Sequence, residues 1–218
     1  MTESTFNIVA SMSAIPFIIA YALMIRRGVV DKSYGMPVFA ICLNVSWESY
    51  FTFIAILPIA VKISNGFYLL FDLGVLYTCL RYGKEDFDWP IFKKYFYAFI
   101  ALLLPACFIL VYVFIKSFSD YGVLVTSFVV MIYSTLLVAM IIRRNNVKGQ
   151  SLYIGIFIFV SDILGYVLAL HVQSSVQMDV PRTWVHASWI YILLANIFYI
   201  ALYYVVARRG GINPWKRL

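Results

Sequence analysis

The chain is poor in charge. Only 12% of its 218 residues are Asp, Glu, Lys or Arg, against about 25% in soluble domains. Acids are the scarcer sign, 10 against 17 bases. That excludes an ordinary water-soluble globule. Three cysteines, Cys42, Cys79 and Cys107, fall inside apolar runs without metal-ligand spacing, which excludes a disulfide framework and a cysteine metal site. No Asp-Asp-x-x-Asp, Gly-rich phosphate loop or His-Glu-x-x-His is present, and Glu85-Asp86-Phe87-Asp88 has the wrong spacing to hold magnesium and diphosphate. The last apolar run has no lysine, so a retinal Schiff base is not expected. No metal or other cofactor is called for. The strict alternation of a membrane barrel is missing as well.

What fills the chain is apolar, 63% of it. Seven runs approach the ~20 residues that a spanning helix needs: Phe6–Ile25, Met36–Leu57, Ile63–Leu80, Tyr95–Ile115, Tyr121–Ile142, Leu152–His171 and Trp184–Ala207. The expected fold is an all-α membrane protein of seven transmembrane helices, one domain over 1–218. Arg26 and Arg27 follow the first run rather than precede it, so that run reads as a span and not a cleaved signal. Fourteen of the 17 bases lie after runs 1, 3, 5 and 7. Only Lys62, Lys116 and Arg182 lie on the other side. By the positive-inside rule the N-terminus is outside and the C-terminus cytosolic. The net charge of +7 is thereby explained without nucleic acid. Pro37, Pro58 and Pro105 are expected at span ends or kinks. His171 and His186 lie near the outer span ends and read as interfacial residues. Runs 1–3 and 5–7 would share one orientation, with run 4 as an inverter. Aligning Gly35 with Gly149 sets Glu48 opposite Asp162, so a 3+1+3 plan with parallel repeats is expected.

Against this apolar background the buried acids stand out. A charge at bilayer depth costs at least ~2.5–3.5 kcal/mol on insertion scales, and such groups usually face a partner or a cavity. Glu48 lies one turn beyond Asn44, on the same helix face. Glu48 and Asp162 fall ~20 Å from the cytosolic ends of their runs, Asn196 ~18 Å and Asp72 ~13 Å. No Lys or Arg shares that depth. A carboxylic acid in a dry site can act as a general acid. Interhelical hydrogen bonding alone, worth ~0.6 kcal/mol on average, repays a buried carboxylate poorly. Trp47 and Tyr50 are candidates for an aromatic wall facing a cation. Tyr77 completes the candidate substrate-binding set of Asn44, Trp47, Tyr50, Tyr77 and Asn196.

The stretch Tyr34-Gly-Met36, then Asn44-Val-Ser-Trp47-Glu48, resembles the integral-membrane terpene cyclases of fungal meroterpenoid and indole-diterpene pathways, which have bacterial relatives. Asp72-Leu-Gly-Val-Leu-Tyr77 through Phe87 is similar to that family's third span and following loop, where Asn is usual at the Asp72 position. The Lys148-Gly149 run-in to the sixth span also fits. The resemblance implies that Glu48 protonates a terminal epoxide or alkene of a prenyl chain, and that rings close through carbocations without release of diphosphate. The family's second acid, an Asp in the last span, is replaced here by Asn196 within Leu194-Ala195-Asn196-Ile197. Asp162 or Asp72 would take its place. The implied partner is a lipophilic prenylated small molecule in a lipid bilayer, either a bacterial inner membrane or the endoplasmic reticulum. Two other classes fit seven spans. A sugar-efflux or PQ-loop transporter would carry paired Pro-Gln signatures, which are absent. In a sensor or structural subunit the acids would be helix glue.

Overall fold

In the computed structural model, residues 3–56, 59–118, 123–175 and 181–218 are described. Every regular element among them is helical: α1 Glu3–Asp31, α2 Val38–Ser49, α3 Ile59–Tyr82, α4 Pro90–Ser117, α5 Val123–Arg144, α6 Leu152–Ser175 and α7 Arg182–Arg209. Backbone amides have no other partner in hydrocarbon, so apolar runs of this length fold as helices. Six of the seven are long and apolar enough to cross a membrane. α2 is the exception. It has 12 residues and passes into a π turn, Tyr50–Ile54, in which the Ala55 N–H donates to the Tyr50 carbonyl at 2.9 Å. The second run is thus a shorter apolar helix, Val38–Ile54, rather than a full-length span.

Pro37 caps α2 at its N-terminus, where its missing N–H costs nothing. Pro105 lies inside α4, which continues through it, so it marks no span end. Pro58 lies outside the described residues. Glu48 and Asp162 each come ten residues after the first residue of their helices, Val38 and Leu152.

The contacts divide the chain into two units. One comprises Met24–Phe114 with Lys148–Gln150. In it α1 and α3 approach through glycine. A Cβ at Gly28 would lie 2.9 Å from Thr78 Cγ2. Small residues let backbones come close, and close packing is what binds helices in lipid, where burial from water gives no drive. At one end Asp31 pairs with Arg27 and accepts the Gly149 N–H at 2.8 Å. Gln150 donates to the Gly35 carbonyl. Gly149 has φ +74°, and a Cβ there would come within 2.5 Å of the Tyr34 carbonyl oxygen. Tyr34, itself buried, donates to Asp86 at 3.0 Å.

The other unit comprises Met1–Leu23, Ile115–Val147 and Ser151–Leu218. α7 packs on both α5 and α6. Ser151 Oγ accepts the Ile154 N–H and caps α6. Gly155 of α6 makes room for Tyr199, and Gly165 for the Trp189 ring. Ser161 Oγ donates to the Ser13 carbonyl at 2.8 Å, tying α6 to α1.

Candidate functional site

α2 and α3 carry facing polar stripes. Asn44, Glu48 and Thr52 recur every four residues, which keeps them on one side of α2 and its π turn. On α3, Asn65, Tyr68 and Asp72 recur at three and four. Glu48 is 9% exposed and Asp72 2%. Each is close enough to feel the other's charge, and Tyr68 feels that of Glu48. Asn44 Nδ2 donates to Met36 Sδ at 3.7 Å, a weak bond to a soft acceptor. Glu48 Oε2 is buried without a hydrogen-bond partner among the described residues. Native interiors leave few polar atoms in that state.

The aromatic candidates adjoin this seam. Trp47 packs on Phe51 with ring centroids 4.3 Å apart. Tyr50 meets Phe51 at 5.3 Å and Tyr112 of α4 at 6.1 Å, both edge-on. Along a helix Trp47 and Tyr50 leave the axis about 100° and 200° from Glu48. They form an aromatic cluster beside the carboxyl-bearing face rather than on it. Tyr77 stands apart. It is 57% exposed, on the outer surface of α3. Five residues from Asp72 amount to about 140° of rotation, which turns its side chain away from the seam.

The other unit holds its own acid. Asp162 of α6 is 5% exposed and Asn196 of α7 is 1% exposed. Asn196 Nδ2 donates to Asp162 Oδ2 at 2.7 Å. Tyr133, Tyr199 and Tyr203 are buried in the same unit. The structure thus sets Glu48 with Asp72 inside one unit and Asp162 with Asn196 inside the other. The three cysteines are buried, and none is in a disulfide among the described residues. His186 meets the Tyr166 hydroxyl at 2.5 Å.

Sequence reasoning passed over Asn65, Tyr68 and Thr52. The signal for each was present. Thr52 extends the Asn44–Glu48 spacing by one turn, and Tyr68 and Asn65 lie one and two turns before Asp72.

A geometry of paired, enclosed acids suits proton transfer to an apolar ligand. Comparison with known proteins points the same way. Residues 2–209 match the family described as Pyr4-like transmembrane terpene cyclases. The chain is similar to the Pyr4-family terpene cyclase mfmH of Annulohypoxylon moriforme, with 30% identity over 138 residues, 61% of this chain and 56% of that protein. It is also similar to the terpene cyclase macJ of Penicillium terrestre, 24% identical over 65% of this chain and 57% of the relative. The terpene cyclase ascF of Acremonium egyptiacum is 26% identical over 48% of this chain and 37% of its own length. The chain spans about half the length of the curated relatives it matches. No solved structure matches it.

Proposed function

The chain belongs to the Pyr4-like transmembrane terpene cyclases, a multi-pass integral membrane protein, and on that premise we propose that it cyclises a prenylated lipophile by acid initiation. The observation that carries this reading is Glu48, enclosed on α2 with a buried oxygen that has no hydrogen-bond partner among the described residues and with Asp72 on the facing helix.

Glu48 donates a proton to the terminal epoxide or alkene of the prenyl chain. On an epoxide the proton forms an O–H bond as a C–O bond breaks. On an alkene it forms a C–H bond from the π pair. Either leaves a carbocation, which the next alkene attacks to close a carbon–carbon bond. The cation moves on by one alkene per ring. Loss of a proton from the carbon beside the last cation restores a double bond. One proton enters and one leaves, so the product is an isomer and no diphosphate departs. Asp72 is the acid suited to take that proton within the same unit. Asp162, held by Asn196, is the second candidate. Asn44 and Asn196 hold polar groups, and the faces of Trp47 and Tyr50 stabilise the passing charge. The bilayer delivers the substrate from the lipid side. The basic loops face the cytosol in this reading, and Glu48 and Asp162 occupy matching positions of two repeated halves.

The test is direct. Membranes containing the protein are incubated with prenylated phenols and quinols, with and without a terminal epoxide, and products of unchanged mass are sought by chromatography and mass spectrometry. Glu48→Gln is expected to lower turnover about 10²–10⁴-fold, the usual worth of a positioned acid. A folded Glu48→Gln variant that cyclises at the wild-type rate would remove Glu48 from the mechanism.

A further inference from the structure

Thr52 lies in the π turn that ends α2, one turn past Glu48. Wide turns of this kind are rare and cluster at functional sites. Several other helical hydroxyls bond a carbonyl about one turn back, although Ser134 Oγ of α5 also lacks a partner among the described residues and Ser161 Oγ reaches across to α1. Ser46 reaches Cys42 at 2.7 Å, Thr78 reaches Val75 at 2.7 Å, and Ser127 reaches Val123 at 2.9 Å. This back-bonding is the ordinary fate of a helical Ser or Thr. Thr52 Oγ1 makes no such bond. It is buried and has no hydrogen-bond partner among the described residues, like Glu48 Oε2. Two unsatisfied oxygens therefore lie one turn apart on one face of one element.

The facing helix leaves room beside them. A Cβ built on Gly66 of α3 meets only Thr52 Cγ2, at 3.7 Å, within 4 Å among the described residues. The aromatic rings of Phe51 and Tyr50 lie on the same turn. Space is thus left at Gly66, next to two buried oxygens that have no hydrogen-bond partner among the described residues. Hydrocarbon cannot satisfy them. A ligand oxygen can: a hydroxyl such as Thr52 donates one hydrogen bond and accepts others, and a carboxyl does both when protonated.

We propose that Thr52 is a specificity-determining residue, whose hydroxyl joins the Glu48 carboxyl in holding an oxygen atom of the ligand and selects oxygen-bearing prenyl chains over hydrocarbon ones. The proposal rests on the cyclase reading for its substrate, but not for its test, which is binding. A site built to hydrogen-bond an oxygen discriminates strongly against the analogue lacking it, because its own buried groups are then left unpaired.

The probes are two prenylated phenols of equal chain length, one ending in an epoxide and one in the parent alkene. Binding is read from tryptophan fluorescence of the full chain in nanodiscs. Wild type should hold the epoxide at least about tenfold more tightly, the worth of one buried hydrogen bond. Thr52→Val, equal in shape but without the hydroxyl, should bring the two affinities together, whereas Thr52→Ser should keep them apart. Gly66→Ala should weaken both ligands alike, since it fills space rather than removing a donor. Equal binding of the two probes by wild type overturns the proposal, whether or not any variant folds. So does a folded Thr52→Val variant that keeps the wild-type preference. A wild type that prefers the epoxide, loses the preference in Thr52→Val and yet forms no isomer from either probe upholds the role of Thr52 while the cyclase reading fails.

Discussion

Removing the Asn196 amide tests whether the α6–α7 acid is supported or merely tolerated. Leucine is close to asparagine in volume, so Asn196→Leu keeps most of the packing and deletes the donor. The bond lost is the one from Nδ2 to Asp162 Oδ2, 2.7 Å long, between two residues that water hardly reaches. Interhelical hydrogen bonds in membranes average about 0.6 kcal/mol and reach about 1.7. A buried acceptor stripped of its partner costs about 1–3 kcal/mol. The lower figure describes pairs that find replacements, and the burial here leaves little to replace with. We expect Asn196→Leu to destabilise the protein by about 1.5–3 kcal/mol, and Asp162→Leu, which strands the amide instead, by a similar amount. The double variant replaces both by apolar groups and should be closer to wild type than the sum, with a coupling of about 1–2 kcal/mol. Reversible unfolding in mixed micelles at rising denaturing-detergent fraction reads all four corners of the cycle. If the two single effects add to within about 0.5 kcal/mol, the bond carries no energy and the reasoning is refuted. Asp162→Asn then separates structure from chemistry. It keeps a hydrogen-bonding partner for Asn196, so stability should hold. Activity should fall if Asp162 handles a proton, and stay if it only joins two helices.

Other perturbations follow from local geometry. Gly149→Ala should destabilise by at least about 2 kcal/mol, because a left-handed φ costs an L-residue about 1–2 kcal/mol and the new Cβ would press on the Tyr34 carbonyl; thermal melting in detergent checks it. Gly28→Ala forces a methyl to 2.9 Å from Thr78 Cγ2 and should cost about 1–3 kcal/mol, part of it recovered in Gly28→Ala/Thr78→Ser. Tyr77→Ala, on an exposed face, should change stability by less than about 0.5 kcal/mol and leave turnover as it was; a large fall in turnover would return Tyr77 to the site.

Much of the site was visible as spacing. Asn44 and Glu48 share a face because four residues make roughly one turn, and the same count reaches Thr52. Burial of Glu48, Asp72, Asp162 and Asn196 followed from their depth in apolar runs. Tyr77 shows the limit of reading by proximity, since depth along a helix says nothing of rotation about it. The π turn left no mark that Tyr50-Phe-Thr-Phe-Ile54 would betray, because those side chains suit an α-helix as well as a wide turn.

Composition and hydropathy by themselves determined that this chain is a set of apolar helices with a few acids inside them. The physical reason is local: hydrocarbon permits no unpaired backbone, so each run must bond to itself. Which acid meets which neighbour was decided only by tertiary packing. Glu48 could have been set with any group at its depth. Glycine contacts such as Gly28 on Thr78 and Gly155 on Tyr199 fix the distance and rotation of whole helices. Those rotations set Glu48 with Asp72 in one unit and Asp162 with Asn196 in the other. They depend on side-chain fit between segments far apart in sequence, which no count along one helix contains.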